Sequence, residues 1–187
     1  GNNLELLYMC NSLQGSNHTQ LEEYDKALDY FNQASIVLSR MKNSGLDSNE
    51  INYYNIINTI DICNIYDKKE EYSKSVEKLT SILSTDLEQK NPKLFNGIKN
   101  NIAYSLMKSG KYKEAKTYFD AIQLSGKKDD TQGYLYKTIN FGEYHLLTRD
   151  TVKANALFVE ALLLSKQLKS GNEELKILNF LAAANPK

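Results

Sequence analysis

Small and large apolar residues recur along this chain at fixed distances. Counting from Ala103, Leu106 lies three residues on, Tyr112 nine, Ala115 twelve, Phe119 sixteen and Ile122 nineteen. From Gly142 the same steps reach His145, Thr151, Ala154, Phe158 and Ala161. From Gly15 they reach His18, Tyr24, Ala27, Phe31 and Ala34, and from Cys63 they reach Tyr66, Tyr72, Ser75, Leu79 and Ile82. Every set has a small side chain at both anchor points and a large apolar one sixteen residues on. Within each half the spacings are three, four and seven, the period of one helix face. Between the halves lies a break. In one set it is Ser109-Gly110-Lys111, where Gly110 suits a helix C-terminus; in another it is Thr148-Arg149-Asp150-Thr151. Each set therefore predicts helix, short turn, helix. The small residues mark where two helices approach closely, because neither presents bulk there.

The pattern predicts helices at 3–19, 24–43, 48–68, 71–84, 92–109, 112–124, 130–148, 151–169 and 172–184. Asp47 followed by Glu50 reads as a capping box, Asn91-Pro92 as an N-cap and first helical residue, and Ser170 with Glu173 as a further cap. Strand alternation is nowhere sustained. The expected fold is all-α, a single domain over 1–187 with four antiparallel helix pairs at 3–43, 48–84, 92–124 and 130–169 and one C-terminal helix. A lone pair cannot bury its apolar face, so neighbouring pairs should stack. Ala103 should meet the following helix near Ala115, with Tyr112 and Phe119 largely buried. In the second unit, Ile51, Tyr54, Ile57 (or Ile56) and Ile60 read as a buried stripe.

Composition narrows the function more than the fold. Basic and acidic residues balance at 23 each, with no basic run, which disfavours nucleic acid and anionic membrane surfaces as partners. No apolar run approaches the ~20 residues that span a bilayer, so no membrane contact by this stretch itself is expected. The leading Gly1 in place of Met looks like a cloning scar and marks the chain as a fragment. Cys10 and Cys63 form neither a disulfide framework nor a C-x-x-C pair, and Cys63 at a small-residue position reads as a buried apolar side chain. His18 and His145 occupy equivalent places that Tyr66 and Leu106 fill elsewhere, which reads as packing and not metal binding. The pairs Glu22-Glu23, Glu70-Glu71, Asp129-Asp130 and Glu173-Glu174 fall at turns and helix starts, where the helix dipole favours them. There is no Gly-rich phosphate loop, no H-E-x-x-H and no G-x-S-x-G. The reading is non-enzymatic, with no cofactor and no metal.

The four sets together resemble tetratricopeptide repeats. The third carries the family pattern most fully, in Asn101, Ala103, Leu106, Gly110, Tyr112, Ala115 and Phe119; the second departs most, with Cys63, Ser75 and Leu79. The characteristic tryptophan is missing, and the second-helix anchors Ala27, Ser75, Ala115 and Ala154 are 48, 40 and 39 residues apart against a usual unit of ~34. The resemblance implies a right-handed α-solenoid whose first helices line a groove for peptides or partner helices. Carried onto this chain, that groove is lined by Asn64 and Lys68 with Ile60, by Asn100, Tyr104, Met107 and Lys108, and by Tyr136 and Glu143 with Ile139 and Leu147. Family members that clamp a peptide carboxyl terminus use several Lys and Arg with Asn; here Lys108 and Asn100 are candidates, but Arg is absent from the groove and the acidic Glu143 opposes such a clamp. The implied function is a protein or peptide interaction module. The alternative is a stand-alone small-ligand or peptide receptor using the same groove.

The final stretch EELKILNFLAAANPK is similar to the end of tetratricopeptide ectodomains in bacterial membrane-bound regulators. That implies a sensor or scaffold portion, periplasmic or membrane-tethered, with a cytoplasmic location as the alternative. Its apolar residues cover more than one helix face. If Leu175, Leu178 and Leu181–Ala182 pack on helix 151–169, then Ile177, Phe180 and Ala184 are left as an interface. The next helix of a longer chain, or a second copy forming a homodimer, would cover it.

Overall fold

The computed structural model of the 187-residue chain describes residues 2–44, 47–122 and 130–185. Among the described residues it is all-helical, with ten helices packed in neighbouring pairs. Contacts divide it into two compact units, Gly1–Ile82 and Leu83–Lys187. The first holds α1 (Asn2–Gln20), α2 (Tyr24–Asn43), α3 (Ser48–Lys68) and α4 (Tyr72–Ser81). The second holds α5 (Thr85–Lys90), α6 (Pro92–Lys108), α7 (Tyr112–Asp120), α8 (Thr131–Leu147), α9 (Thr151–Leu168) and α10 (Gly171–Ala184).

One turn geometry closes the hairpins α1–α2, α3–α4, α6–α7 and α8–α9. The N–H of Glu23 donates to His18 C=O (2.9 Å), that of Glu71 to Tyr66 (2.8 Å), that of Lys111 to Leu106 (2.9 Å) and that of Asp150 to His145 (2.8 Å). The preceding N–H groups, of Glu22, Glu70, Gly110 and Arg149, bond three residues back at 3.0–3.1 Å. These paired bonds form a Schellman motif, which needs a left-handed residue to absorb the last helical carbonyls. That residue is Glu22 (φ 59°), Glu70 (60°), Gly110 (81°) and Arg149 (65°). Only one of the four is the glycine that would announce the turn in sequence. Lys169 (φ 55°) repeats the motif between α9 and α10.

The anchor spacing is a contact. Gly15 and Gly142 lie directly against the rings of Phe31 and Phe158, sixteen residues on. Cys63 Sγ donates to Ser75 C=O at 3.7 Å, joining the two anchors of the second set. Ala103 and Ala115 are both fully buried, and Phe119 is 1% exposed. Tyr112 differs from expectation: it starts α7 and is exposed, with its ring in an edge contact with Tyr144 (6.3 Å). Tyr54, Ile57 and Ile60 are only half-buried. Ile51, Ile56 and Ile62 carry the α3 core with Asn58, whose Nδ2 bonds Phe31 C=O and Ser35 Oγ.

Caps set several boundaries. Asn91 accepts from the Leu94 N–H with Pro92 at the first turn. Asp47 accepts from the Asn49 N–H, but Glu50 takes the Tyr54 hydroxyl instead of closing a capping box. Ser170 makes no side-chain cap bond. The fourth predicted helix stops at Ser81. Extended Ser84 then caps the Leu87 N–H and starts α5, which seats Leu87 in the core. The third pair's predicted end at 124 lies partly outside the described residues.

The packing of α10 departs from the expected face, of which Leu181 alone packs on the core. Ile177 is fully buried and Ala184 nearly so, while Leu175 (63%) and Leu178 (46%) are exposed. Half-buried Phe180 stacks on Phe158 at 5.0 Å and 11°. Ile177 joins Leu135, Ile139, Ala154, Phe158, Ala161 and Leu164 in one core cluster. Ile177 and Phe180 are therefore seated in their own chain. Two stripes of α10 are apolar enough to go inside, and the aromatic stack on Phe158 selects between them.

Candidate functional site

In the second unit α6, α8 and α10 bring polar side chains from distant sequence positions to one surface. On α6, Asn100, Tyr104 and Lys108 follow at four-residue steps and so share a face. The Lys108 ammonium reaches across to Glu143 Oε1 on α8 at 3.2 Å; the Glu143 side chain is 8% exposed. From α10 the Lys176 ammonium lies 5.8 Å from the Tyr104 ring centroid, and Lys108 lies 5.9 Å from the same centroid. Lys176 is also 5.6 Å from the Phe180 ring. Tyr136 on α8 donates its hydroxyl to Glu173 Oε1 on α10 at 3.3 Å. Two cations beside one aromatic ring, with a nearly buried carboxylate next to one of them, make a surface of mixed charge and aromatic character. Asn100 is buried, and its Oδ1 has no hydrogen-bond partner among the described residues.

The sequence-derived lining divides on these facts. Tyr104, Lys108, Tyr136 and Glu143 are drawn together in the second unit, with Asn100 buried on the same α6 face. Met107 is not available to a partner, because it lies four residues after Ala103 on the buried stripe and is 1% exposed. Ile139 is excluded for the same reason, one turn before Gly142, at 1%. In the first unit Asn64 and Lys68 share an exposed face of α3. Glu173 and Lys176 belong to the surface although the sequence reading did not place them there. Their signal was the three- and four-residue spacing of Glu173, Lys176 and Phe180.

Each histidine staples its own turn. His18 Nδ1 lies 2.5 Å from Glu23 Oε2, and the His18 ring stacks on Tyr30 at 5.2 Å. His145 Nδ1 lies 3.5 Å from Asp150 Oδ2. Glu23 and Asp150 also hold Lys26 and Lys153 three residues on, at 2.8 Å each. The lysine hydrogen bonds are the main cause that lowers both carboxyl pKa values. Burial lowers the His145 pKa, favouring the neutral ring. Among the described residues no group of three His, Cys, Asp or Glu could hold a metal ion. The buried Cys63 thiol is pushed up to about 12 by desolvation, so it carries almost no thiolate at neutral pH.

No family model matches the chain, and no curated protein matches it significantly.

Proposed function

We propose that the four hairpins are tetratricopeptide-type units of a right-handed solenoid, and that the chain is a non-enzymatic module that holds a partner peptide or helix. The observation that carries this reading is the surface of α6, α8 and α10. Tyr104, Lys108, Tyr136, Glu143 and Lys176 converge there from three helices separated in sequence. Aromatic anchors beside charged groups are the residue types on which protein interfaces concentrate binding energy. The sequence resemblance supports assigning the groove to these first helices. The final stretch supports a sensor or scaffold portion of a bacterial regulatory protein. No helix among the described residues is long and apolar enough to cross a membrane.

Selection of peptides from a random display library against the full chain tests the reading. Selected peptides should lose at least about tenfold in affinity to Tyr104→Ala and to Lys176→Ala, equivalent to about 1.4 kcal/mol. They should keep their affinity for Val152→Ser, which alters a side chain that is 80% exposed on α9. Failure to select any peptide, or peptides indifferent to both groove variants, overturns it.

A further inference from the structure

The end of α2 and the start of α3 enclose a cleft of about 340 Å³ within the first unit, apart from the surface described above. Its floor is apolar and fixed: Leu38 and Ile51 are 3% and 6% exposed and belong to the core cluster around Tyr8 and Met41. Its walls are polar. Ser48, Asn52 and Asn55 stand at four- and three-residue steps on one face of α3, opposite Ser39 and Lys42 of α2.

The charge in this cleft is unbalanced. No carboxylate lines it among the described residues. The two acidic side chains at the start of α3 are engaged elsewhere, Asp47 on the Asn49 N–H and Glu50 on the Tyr54 hydroxyl, at 2.8 Å each. Lys42 has no ion pair or hydrogen bond among the described residues. The hydrogen-bonding groups are mixed. Ser39 spends its proton on Ser35 C=O at 3.1 Å, so toward the cleft its oxygen can only accept. The Asn52 and Asn55 side-chain amides have no partner among the described residues, and each offers donors and an acceptor. A bare anion would use Lys42 and leave the acceptors idle. A neutral polyol would leave the ammonium unmatched.

We propose that this cleft binds a small oxyanion carried on a hydroxylated frame, of the sugar-phosphate or sugar-acid kind. The anionic group pairs with Lys42. Ligand hydroxyls donate to Ser39 and exchange bonds with Asn52 and Asn55. The apolar face of the frame rests on Leu38 and Ile51. The volume lies at the low end for small-molecule sites and suits one monosaccharide-sized ligand.

Titration of the isotope-labelled full chain, followed by NMR, tests this with four probes: inorganic phosphate, glucose, glucose 6-phosphate and glucuronate. The expected result is saturable shifting of the Asn52 and Asn55 side-chain amides by glucose 6-phosphate, glucuronate or both. Phosphate and glucose alone should bind at least about tenfold more weakly. Lys42→Gln should remove at least about tenfold of the affinity, with an unchanged circular dichroism spectrum. Lys26→Gln, at an exposed lysine already paired with Glu23, should change nothing. The proposal is overturned if neither sugar anion saturates, if phosphate alone binds as well as the sugar anions, or if the two lysine variants behave alike.

Discussion

The backbone of Gly142 lies so close beneath the Phe158 ring that a Cβ at position 142 would stand 2.6 Å from Cε1. Gly15 stands in the same relation to Phe31, at 2.7 Å. Gly142→Ala and Gly15→Ala should each destabilise by about 1–3 kcal/mol, because a ring packed in the core cannot give way as a flexible side chain does. That net cost should appear although alanine favours the helix by about 1 kcal/mol. Gly97→Ala is the control: nothing lies within 4 Å of its Cβ, so it should stabilise by up to about 1 kcal/mol. Urea unfolding followed by circular dichroism checks all three.

Three hairpin turns place a non-glycine residue in the left-handed region. Glu70→Gly and Arg149→Gly should therefore each stabilise by up to about 1 kcal/mol, the strain relieved outweighing glycine's extra unfolded-state entropy. Gly110→Ala should cost about the same amount, since its φ is 81°. Thermal melts would show the opposite signs side by side.

Asp61 on α3 is raised to about 6 by burial alone, and Tyr8 feels its charge. The unfolded chain releases this proton near pH 4. Between pH 4 and 6 the folded state thus binds more protons, so stability is lost as pH rises through that window. His145 works in the other direction, since its lowered pKa costs stability as pH falls below about 6.5. Asp61→Asn should raise stability at pH 8 by on the order of 2 kcal/mol and leave it nearly unchanged at pH 4. Unfolding curves of both proteins at several pH values isolate this contribution. An equal gain at both ends would show that charge is not the cause.

Lys108→Met strips a nearly buried carboxylate, Glu143, of its ammonium partner at 3.2 Å. The expected cost is about 1–3 kcal/mol, below that of a fully buried pair because Lys108 is partly exposed. In the Lys108→Met/Glu143→Leu double variant most of that cost should be recovered. A double-mutant cycle measures the coupling directly.

The hairpins were legible in sequence because their contacts are local and their anchors small. Ala103, Ala115 and Phe119 could be placed before any coordinates. The groove was legible only to one helical step: the i+4 neighbour of an anchor, Met107, was assigned outward and lies inward. The face of α10 was not legible, since Ile177 and Leu178 are equally apolar and only Phe158 distinguishes them. Helix α5 had its signal in Ser84 with Asp86 and Glu88, but a six-residue helix carries too little periodicity to announce itself.

The turn inside each of the four hairpins carries the same pair of main-chain bonds, whatever side-chain contacts are added to it. His, Tyr or Leu can supply the accepting carbonyl, and Glu, Gly or Arg can stand in the left-handed position, without changing the frame. Such a frame does not constrain the letters that write it. Mutation can replace nearly every side chain at these corners while the chain path persists. In a protein built this way, sequence at the corners can drift widely while the path of the chain stays the same.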